Sequence, residues 1–180
     1  FGFWNDPFNA STGLGGTARR LPALPNTAWF FHASPPNYLA LRDDHPADGF
    51  LAALFSAPRF PALLTLPALL ALPLLAWRPA ARWLRRTARK FAQEDAASLD
   101  LDVTAWHSYR IELHLDRTIF SVDGARMFES VLAPRPPLGL VIWIDNQYAA
   151  FPPDGRLRFG TLANETDAWL EITGLKIASL

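Results

Sequence analysis

Alternating apolar and polar residues predict β structure in the second half of the chain. The odd-numbered residues from 109 to 115 are apolar and the even-numbered residues between them are polar, which is the period of a half-buried strand. Asp123-Gly124 then suits a two-residue turn, because such turns need positive φ angles. The chain returns along Ala125–Leu132, so this part of the sequence predicts a β-hairpin.

Five further runs predict strands by their apolar content and the turn residues around them. They are Phe1–Trp4, Ala28–His32, Leu138–Ile144, Arg156–Leu162 and Trp169–Ile177. Leu138–Ile144 is apolar throughout, so we expect it to be buried on both faces of a sheet. The last run changes its apolar parity near Gly174, which predicts a β-bulge there.

Residues from about 58 to 99 break the β pattern and predict an α-helical insertion. Phe60–Trp77 carries no charge, and prolines recur at positions 61, 67, 73 and 79. Interior prolines kink a helix, so a single straight membrane span is not expected. We predict short helical turns instead, each opened by a proline.

Residues 77–91 predict a strongly amphipathic helix. Apolar residues fall on one helical stripe, and most of the remaining positions are basic. The stripe consists of Trp77, Ala80, Ala81, Leu84, Ala88 and Phe91. The basic residues are Arg78, Arg82, Arg85, Arg86, Arg89 and Lys90.

Charge divides the chain in the same place. Seven of the 17 basic residues and none of the 17 acidic residues lie between Pro58 and Gln93. The rest of the chain therefore carries about −7, although the whole has no net charge.

There is no cysteine, which excludes disulfides and thiol chemistry. Its length predicts one domain over residues 1–180, and we expect a mature product or an N-terminally truncated fragment because Phe1 already lies in an apolar run.

Two segments of the second half resemble a known family. Trp106–Leu113 with Ile119–Gly124 is similar to the strand pair of concanavalin A-like lectins and glucanases, closest to glycoside hydrolase family 16, the laminarinase-type enzymes. Trp169–Ile177 is similar to that family's last strand. The resemblance covers less than a third of the chain and implies an antiparallel jelly-roll β-sandwich. It also implies work on glycans, and extracytoplasmic or membrane-peripheral localisation.

The family's catalytic signature, Glu-x-Asp-x-x-Glu on one strand, is absent. The glutamates lie at positions 94, 112, 129, 165 and 171, and none of them has that spacing. Glu112 and Glu129 are the remaining candidates for a hydrolytic pair, because residues opposite each other across a hairpin lie within about 5 Å. A solvent-facing role for Glu112 is the competing interpretation.

A glycan-binding site is predicted where tryptophan lies beside carboxylate and amide side chains. Aromatic rings stack on sugar rings, and polar groups fix their hydroxyls. The candidates are Trp4, Asn5, Asp6, Trp143, Asp145 and Asn146. The competing interpretation is a core tryptophan followed by a turn whose Asp and Asn side chains bond to local backbone.

The insertion predicts a contact surface for a membrane or a partner. Arginines at a lipid surface meet phosphates while tryptophans enter the apolar boundary. The candidate residues are Trp77, Arg78, Arg82, Trp83, Arg85, Arg86, Arg89 and Lys90. Alternatively, the insertion packs its apolar stripe on the sheets or on a second copy of the chain.

Other chemistries find little support. The four histidines show no metal-ligand spacing, so no metal is expected. No cofactor motif is present, and a single basic helix does not favour nucleic-acid binding.

Three functions remain: a glycan- or small-molecule-binding jelly-roll domain, a divergent glycoside hydrolase with acids elsewhere, or a peripheral membrane protein. The oligomeric state stays open.

Overall fold

The computed structural model describes residues 1–5, 25–57 and 72–178. These residues form mainly antiparallel β-sheets with one α-helix, α1, at Arg78–Phe91, which follows a short 3₁₀ helix at Leu72–Ala76. The strands are β1 Gly2–Trp4, β2 Thr27–Ala33, β3 Gly49–Ser56, β4 Gln93–Ser98, β5 Tyr109–Leu113, β6 Thr118–Val122, β7 Ala125–Ser130, β8 Gly139–Val141, β9 Gln147–Ala150 and β10 Arg158–Thr161.

The strands form sheets of five, three and two strands. The five-stranded sheet has the order β4-β3-β2-β1-β8, the three-stranded sheet β5-β6-β7, and the last sheet pairs β9 with β10. The jelly-roll sandwich that the family resemblance implies stays a prediction, since the strand order alone does not establish that topology.

One hydrophobic cluster joins the two larger sheets. Ala28, Phe30 and Leu54 from the five-stranded sheet belong to the same buried cluster as Phe120 and Val122 from β6. The rings of Phe30 and Phe120 meet edge to face with centroids 5.2 Å apart, a favoured aromatic geometry. Since β2 carries its even-numbered residues into this cluster, its odd-numbered residues are left on the opposite face of the sheet.

The strand predictions near the N-terminus and at the Asp-Gly turn are confirmed. β1 and β2 fall within or around the predicted runs, and β6 and β7 pair across Asp123-Gly124. Both turn residues have positive φ, 51° for Asp123 and 79° for Gly124.

The structure also divides the predicted first strand of that hairpin, because the backbone N–H of His114 donates to the carbonyl of Arg117 and closes a turn between β5 and β6. Leu115 is therefore fully exposed and belongs to no strand.

One further strand prediction is confirmed only in part, without the expected burial on both faces, and another is wrong. Leu138–Ile144 contributes only the short strand β8 at the edge of its sheet, and Ile144 is 54% exposed. Trp169–Ile177 forms no strand and is exposed along its length. An apolar run is buried only where another sheet covers it, and neither run has such cover among the described residues.

The insertion emerges between two paired strands. Ser56 at the end of β3 is the register partner of Gln93 at the start of β4, so the chain leaves and re-enters the sheet at one place. Pro79 lies in the first turn of α1, as predicted for prolines in this segment, whereas residues 58–71 of the proline repeat lie outside the described residues. The amphipathic helix predicted at residues 77–91 is confirmed, whereas the predicted end of the insertion near residue 99 is wrong because residues 93–98 form β4.

His107 and Asp123, both in the family-like segment, bind to each other. His107 Nδ1 lies 2.7 Å from Asp123 Oδ2, and its Nε2 lies 3.1 Å from the carbonyl oxygen of Asp102. The other carboxylate oxygen of Asp123 accepts the backbone N–H of Ser108 at 2.8 Å. Both ring nitrogens face acceptors, which suits the protonated imidazole. The hydrogen bond to Asp123 raises the pKa of His107, and the same bond lowers the pKa of Asp123.

Replacing His107 should destabilise the protein in a pH-dependent way. The pKa of His107 is raised above 6.5, so its contribution is complete below that pH and is lost as the pH rises through the folded value. The pKa of Asp123 is lowered below 3.8, so its contribution is lost only as the pH falls through that lower value. We therefore expect His107→Gln to lower the thermal midpoint more at about pH 5 than at about pH 9.

Circular dichroism melts of the wild type and the variant at both pH values test this. His32→Gln is the control, because His32 is exposed at the end of β2. An equal loss for His107→Gln at both pH values would show that the ring acts by packing alone.

Candidate binding sites

Four aromatic side chains meet on the face of the five-stranded sheet that points away from the hydrophobic cluster. The ring of Trp143 stacks on Trp4 with centroids 5.8 Å apart, and lies 5.3 Å from Trp29 and 5.9 Å from Phe31. Trp29 also stacks on Phe31 at 5.5 Å. All four side chains are partly exposed. We call these residues the aromatic cluster.

Strand register brings the cluster together. Trp29 and Phe31 share the odd parity of β2, Trp4 pairs with Thr27, and Gly2 pairs with Trp29. Gly2 is required at its position, because a Cβ there would lie 2.3 Å from the carbonyl oxygen of Ala28 and 2.5 Å from the Cα of Trp29. Its φ of 156° also disfavours other residues.

The structure places Trp4 and Trp143 in contact, whereas the side chains of their polar neighbours bond to backbone groups. Asn5 is buried and its side chain accepts the backbone N–H of Asn26 at 2.9 Å. Asp145 accepts the N–H of Gln147 at 3.1 Å, and Asn146 donates to the carbonyl of Leu162 at 2.8 Å. Asp6 lies outside the described residues. Only Asp145 matches the turn interpretation, because Asn5 and Asn146 bond to the backbone of segments 21 and 16 residues away.

Sequence reasoning missed Trp29 and Phe31 as members of the site. The signal was present in the alternation of the predicted strand Ala28–His32, which separates Trp29 and Phe31 from Phe30. What the sequence lacked was the pairing of β1 with both β2 and β8, which places three distant segments side by side.

Glu112 and Glu129 do not lie opposite each other, contrary to the geometry predicted for a hydrolytic pair. Both are register partners of Ile119, so β6 lies between them and their backbones are about two strand spacings, roughly 10 Å, apart. Each is also bound to arginine: Glu112 to Arg110 at 2.7 Å, and Glu129 to Arg126 at 2.5 Å. Alternation places Glu112 on the side of β5 opposite the core residue Ile111. The expected placement of the two residues within about 5 Å across the hairpin is therefore wrong, and with it the basis for a retaining pair.

Glu94 is the buried acid of the five-stranded sheet. Burial raises the pKa of its carboxyl group, which is a property of catalytic acids. Both oxygens, however, accept backbone N–H groups, one from Leu41 at 2.9 Å and the other from Arg42. Glu94 therefore fastens the connection between β2 and β3 to β4.

Helix α1 contacts the body of the protein through Ala81, which belongs to the predicted apolar stripe, and Arg85, which does not. Its buried residues are Ala81 and Arg85, whereas Trp77 is 64% and Phe91 46% exposed. The sheets therefore do not bury the stripe as a whole, and its packing on a second copy of the chain stays a prediction. At 3.6 residues per turn, Ala81 and Arg85 lie where the apolar and basic arcs meet. One flank of the helix is therefore apolar and the other basic.

Arg85 forms the polar anchor of this contact. Its guanidinium donates to the carbonyls of Ala40 at 2.7 Å and Phe151 at 2.9 Å, and to Asp43 Oδ1 at 2.7 Å. It also lies 5.5 Å from the ring centroid of Tyr38, within cation–π range. The hydrogen bond to Arg85 lowers the pKa of Asp43. A buried arginine is tolerated because its donors are paired.

Within the described residues, no helix is long and apolar enough to cross a membrane. The same part of the chain holds no group of three metal-ligating side chains.

The chain matches no protein-family model, no curated protein and no solved structure at a significant level. The resemblance to family 16 glycoside hydrolases therefore stays a prediction.

Gly2→Ala should destabilise the protein by about 1–3 kcal/mol, since the added methyl group collides with backbone at a strained φ. It should also disturb the near-ultraviolet circular dichroism of the tryptophans, because Trp29 must move. Gly139→Ala is the matched control: Gly139 pairs with Trp4 in the same sheet, and a Cβ there meets nothing within 4 Å. Urea denaturation of both variants measures the difference, and similar losses would contradict the argument.

Proposed function

We propose that the chain is a carbohydrate-binding β-sandwich domain of the concanavalin A-like kind. The observation that carries the proposal is the aromatic cluster, in which Trp4 and Trp143 stack on an open face of the sheet. Partly exposed, rigid rings side by side suit the apolar faces of sugar rings, and placing them costs little side-chain entropy on binding.

The fold supports this proposal at a coarser level. The five-stranded and three-stranded sheets share one hydrophobic cluster, as two layers of a sandwich do. The family-like segment around Trp106 and Asp123 belongs to the three-stranded sheet. Binding is favoured over hydrolysis because the family's acid motif is absent and Glu112 and Glu129 are separated by a strand.

Trp143→Ala should weaken binding to a soluble glycan by about tenfold or more, because it removes the ring that contacts the other three. Affinity electrophoresis in gels containing laminarin, xylan or mannan measures the effect. Trp143→Phe keeps an aromatic face and should retain most of the affinity.

Trp106→Ala is the control, because Trp106 is 64% exposed and lies outside the cluster. Thermal melts of each variant establish that it is folded. Retention of wild-type affinity by folded Trp143→Ala, or no binding of the wild type to any of the three polysaccharides, would overturn the proposal.

A second candidate function is docking to an anionic membrane surface through α1. The observation that favours it is the orientation of the helix: Trp77 and Trp83 are 64% and 58% exposed, while the buried contact is made by Ala81 and Arg85. The sequence of α1 contains no acidic residue, so the exposed cations of the helix are complementary to anionic lipid headgroups.

The double variant Trp77→Ala/Trp83→Ala should lower partitioning onto vesicles of phosphatidylcholine and phosphatidylserine. We expect at least about a tenfold decrease, because two large rings would lose their apolar burial. Co-sedimentation with the vesicles measures the bound fraction.

Trp106→Ala/Trp169→Ala is the matched control, since both tryptophans are exposed and neither belongs to the helix. If the two double variants bind alike, or the wild type does not sediment with the vesicles, α1 is not a membrane contact.

A further inference from the structure

A cavity of about 330 Å³ lies between α1 and two connections of the β-sheets. Its lining combines four arginines with a single carboxylate, and two prolines complete the wall. The lining residues are Asp43, Pro79, Arg82, Arg85, Arg86, Arg89 and Pro153. We call this cavity the arginine pocket.

The single carboxylate leaves half of the cationic lining without an acidic partner. Asp43 is shared by Arg85 at 2.7 Å and Arg89 at 2.9 Å. Arg82 has no hydrogen-bond partner for its guanidinium among the described residues, and Arg86 donates only its Nε, to the carbonyl of Arg82 at 3.4 Å. Most donors of these two guanidinium groups therefore remain available to a ligand.

The surrounding structure holds the pocket in shape. Arg85 is buried and fixed by two carbonyls and Asp43. Gly155 lies two residues after Pro153 and has a φ of +76°. A Cβ there would lie 2.8 Å from the Cγ of Arg82 and 2.9 Å from the carbonyl oxygen of Arg78. The connection that carries Pro153 therefore packs directly on the helix backbone, and glycine permits that approach.

We propose that the arginine pocket binds a phosphate-type oxyanion group, carried by a soluble small molecule or by a lipid. Guanidinium groups present planar pairs of donors that match phosphate oxygens, and the excess of cations offsets the charge of the anion. The volume is at the lower end of small-molecule sites, which span about 300–1,000 Å³. The proposal does not depend on the carbohydrate site, because the pocket and the aromatic cluster have no residue in common.

Isothermal titration with glucose 6-phosphate, inorganic pyrophosphate and glucose tests the proposal. Both phosphate compounds should bind with one-to-one stoichiometry, and glucose should not bind in the pocket. No binding of either phosphate compound, together with no binding to phosphatidic acid in the vesicle arm below, overturns the proposal.

Arg82→Gln/Arg86→Gln should raise the dissociation constant by about tenfold or more, since it removes two charge-assisted contacts. Arg78→Gln/Lys90→Gln is the matched control, because it removes the same charge from the same helix at residues that do not line the pocket. Thermal melts check that both variants fold; Arg85 is left unchanged because it anchors the helix. Equal weakening by the two double variants would mean general charge attraction and overturn the proposal.

Co-sedimentation with phosphatidylcholine vesicles containing phosphatidic acid separates the two sources of phosphate. A decrease confined to Arg82→Gln/Arg86→Gln in the titrations identifies a soluble ligand. The same selective decrease seen with vesicles alone identifies a lipid headgroup. Trp77→Ala/Trp83→Ala should leave the titrations unchanged, so failure of membrane docking does not count against the pocket.

Discussion

Strand β2 must bury apolar side chains on both of its faces, and much of the structure follows from that constraint. Its even-numbered residues, Ala28 and Phe30, enter the cluster shared with the three-stranded sheet. Its odd-numbered residues, Trp29 and Phe31, need cover on the other face. Trp4 and Trp143 supply part of it from β1 and from the segment after β8. Gly2 allows this arrangement because its backbone lies against Trp29 without a side chain between them.

Helix α1 is held in a different way, by polar contacts more than by apolar burial. Arg85 ties it to carbonyls on two separate connections and to Asp43, and Ala81 permits close approach. Because the contact runs along the boundary between the basic and apolar arcs, both arcs stay accessible. The basic flank borders the arginine pocket, and exposed tryptophans lie elsewhere on the helix.

The two candidate sites have opposite physical characters, which makes their functions separable. The aromatic cluster offers uncharged ring faces, and the nearby Asn5, Asp145 and Asn146 already bond to backbone. The arginine pocket offers unpaired guanidinium groups and a single shared carboxylate. Buried Glu94, although its pKa is raised, bonds to the connection between β2 and β3 through both oxygens. Glu94 therefore stabilises the scaffold through both of its carboxylate oxygens.

The sequence by itself determined the local elements whose signals are short-range. The Asp123-Gly124 turn, β1, β2 and an amphipathic helix opened near Pro79 could all be predicted, because turn residues, alternation and helical periodicity act over a few positions. It also singled out Trp4 and Trp143. Tertiary structure alone decided that these two rings meet Trp29 and Phe31, since strand order joins segments far apart in the chain. It likewise decided that α1 is buried along the boundary between its two arcs: Arg85 binds carbonyls and a carboxylate on other segments, and periodicity cannot reveal partners that lie elsewhere in the fold.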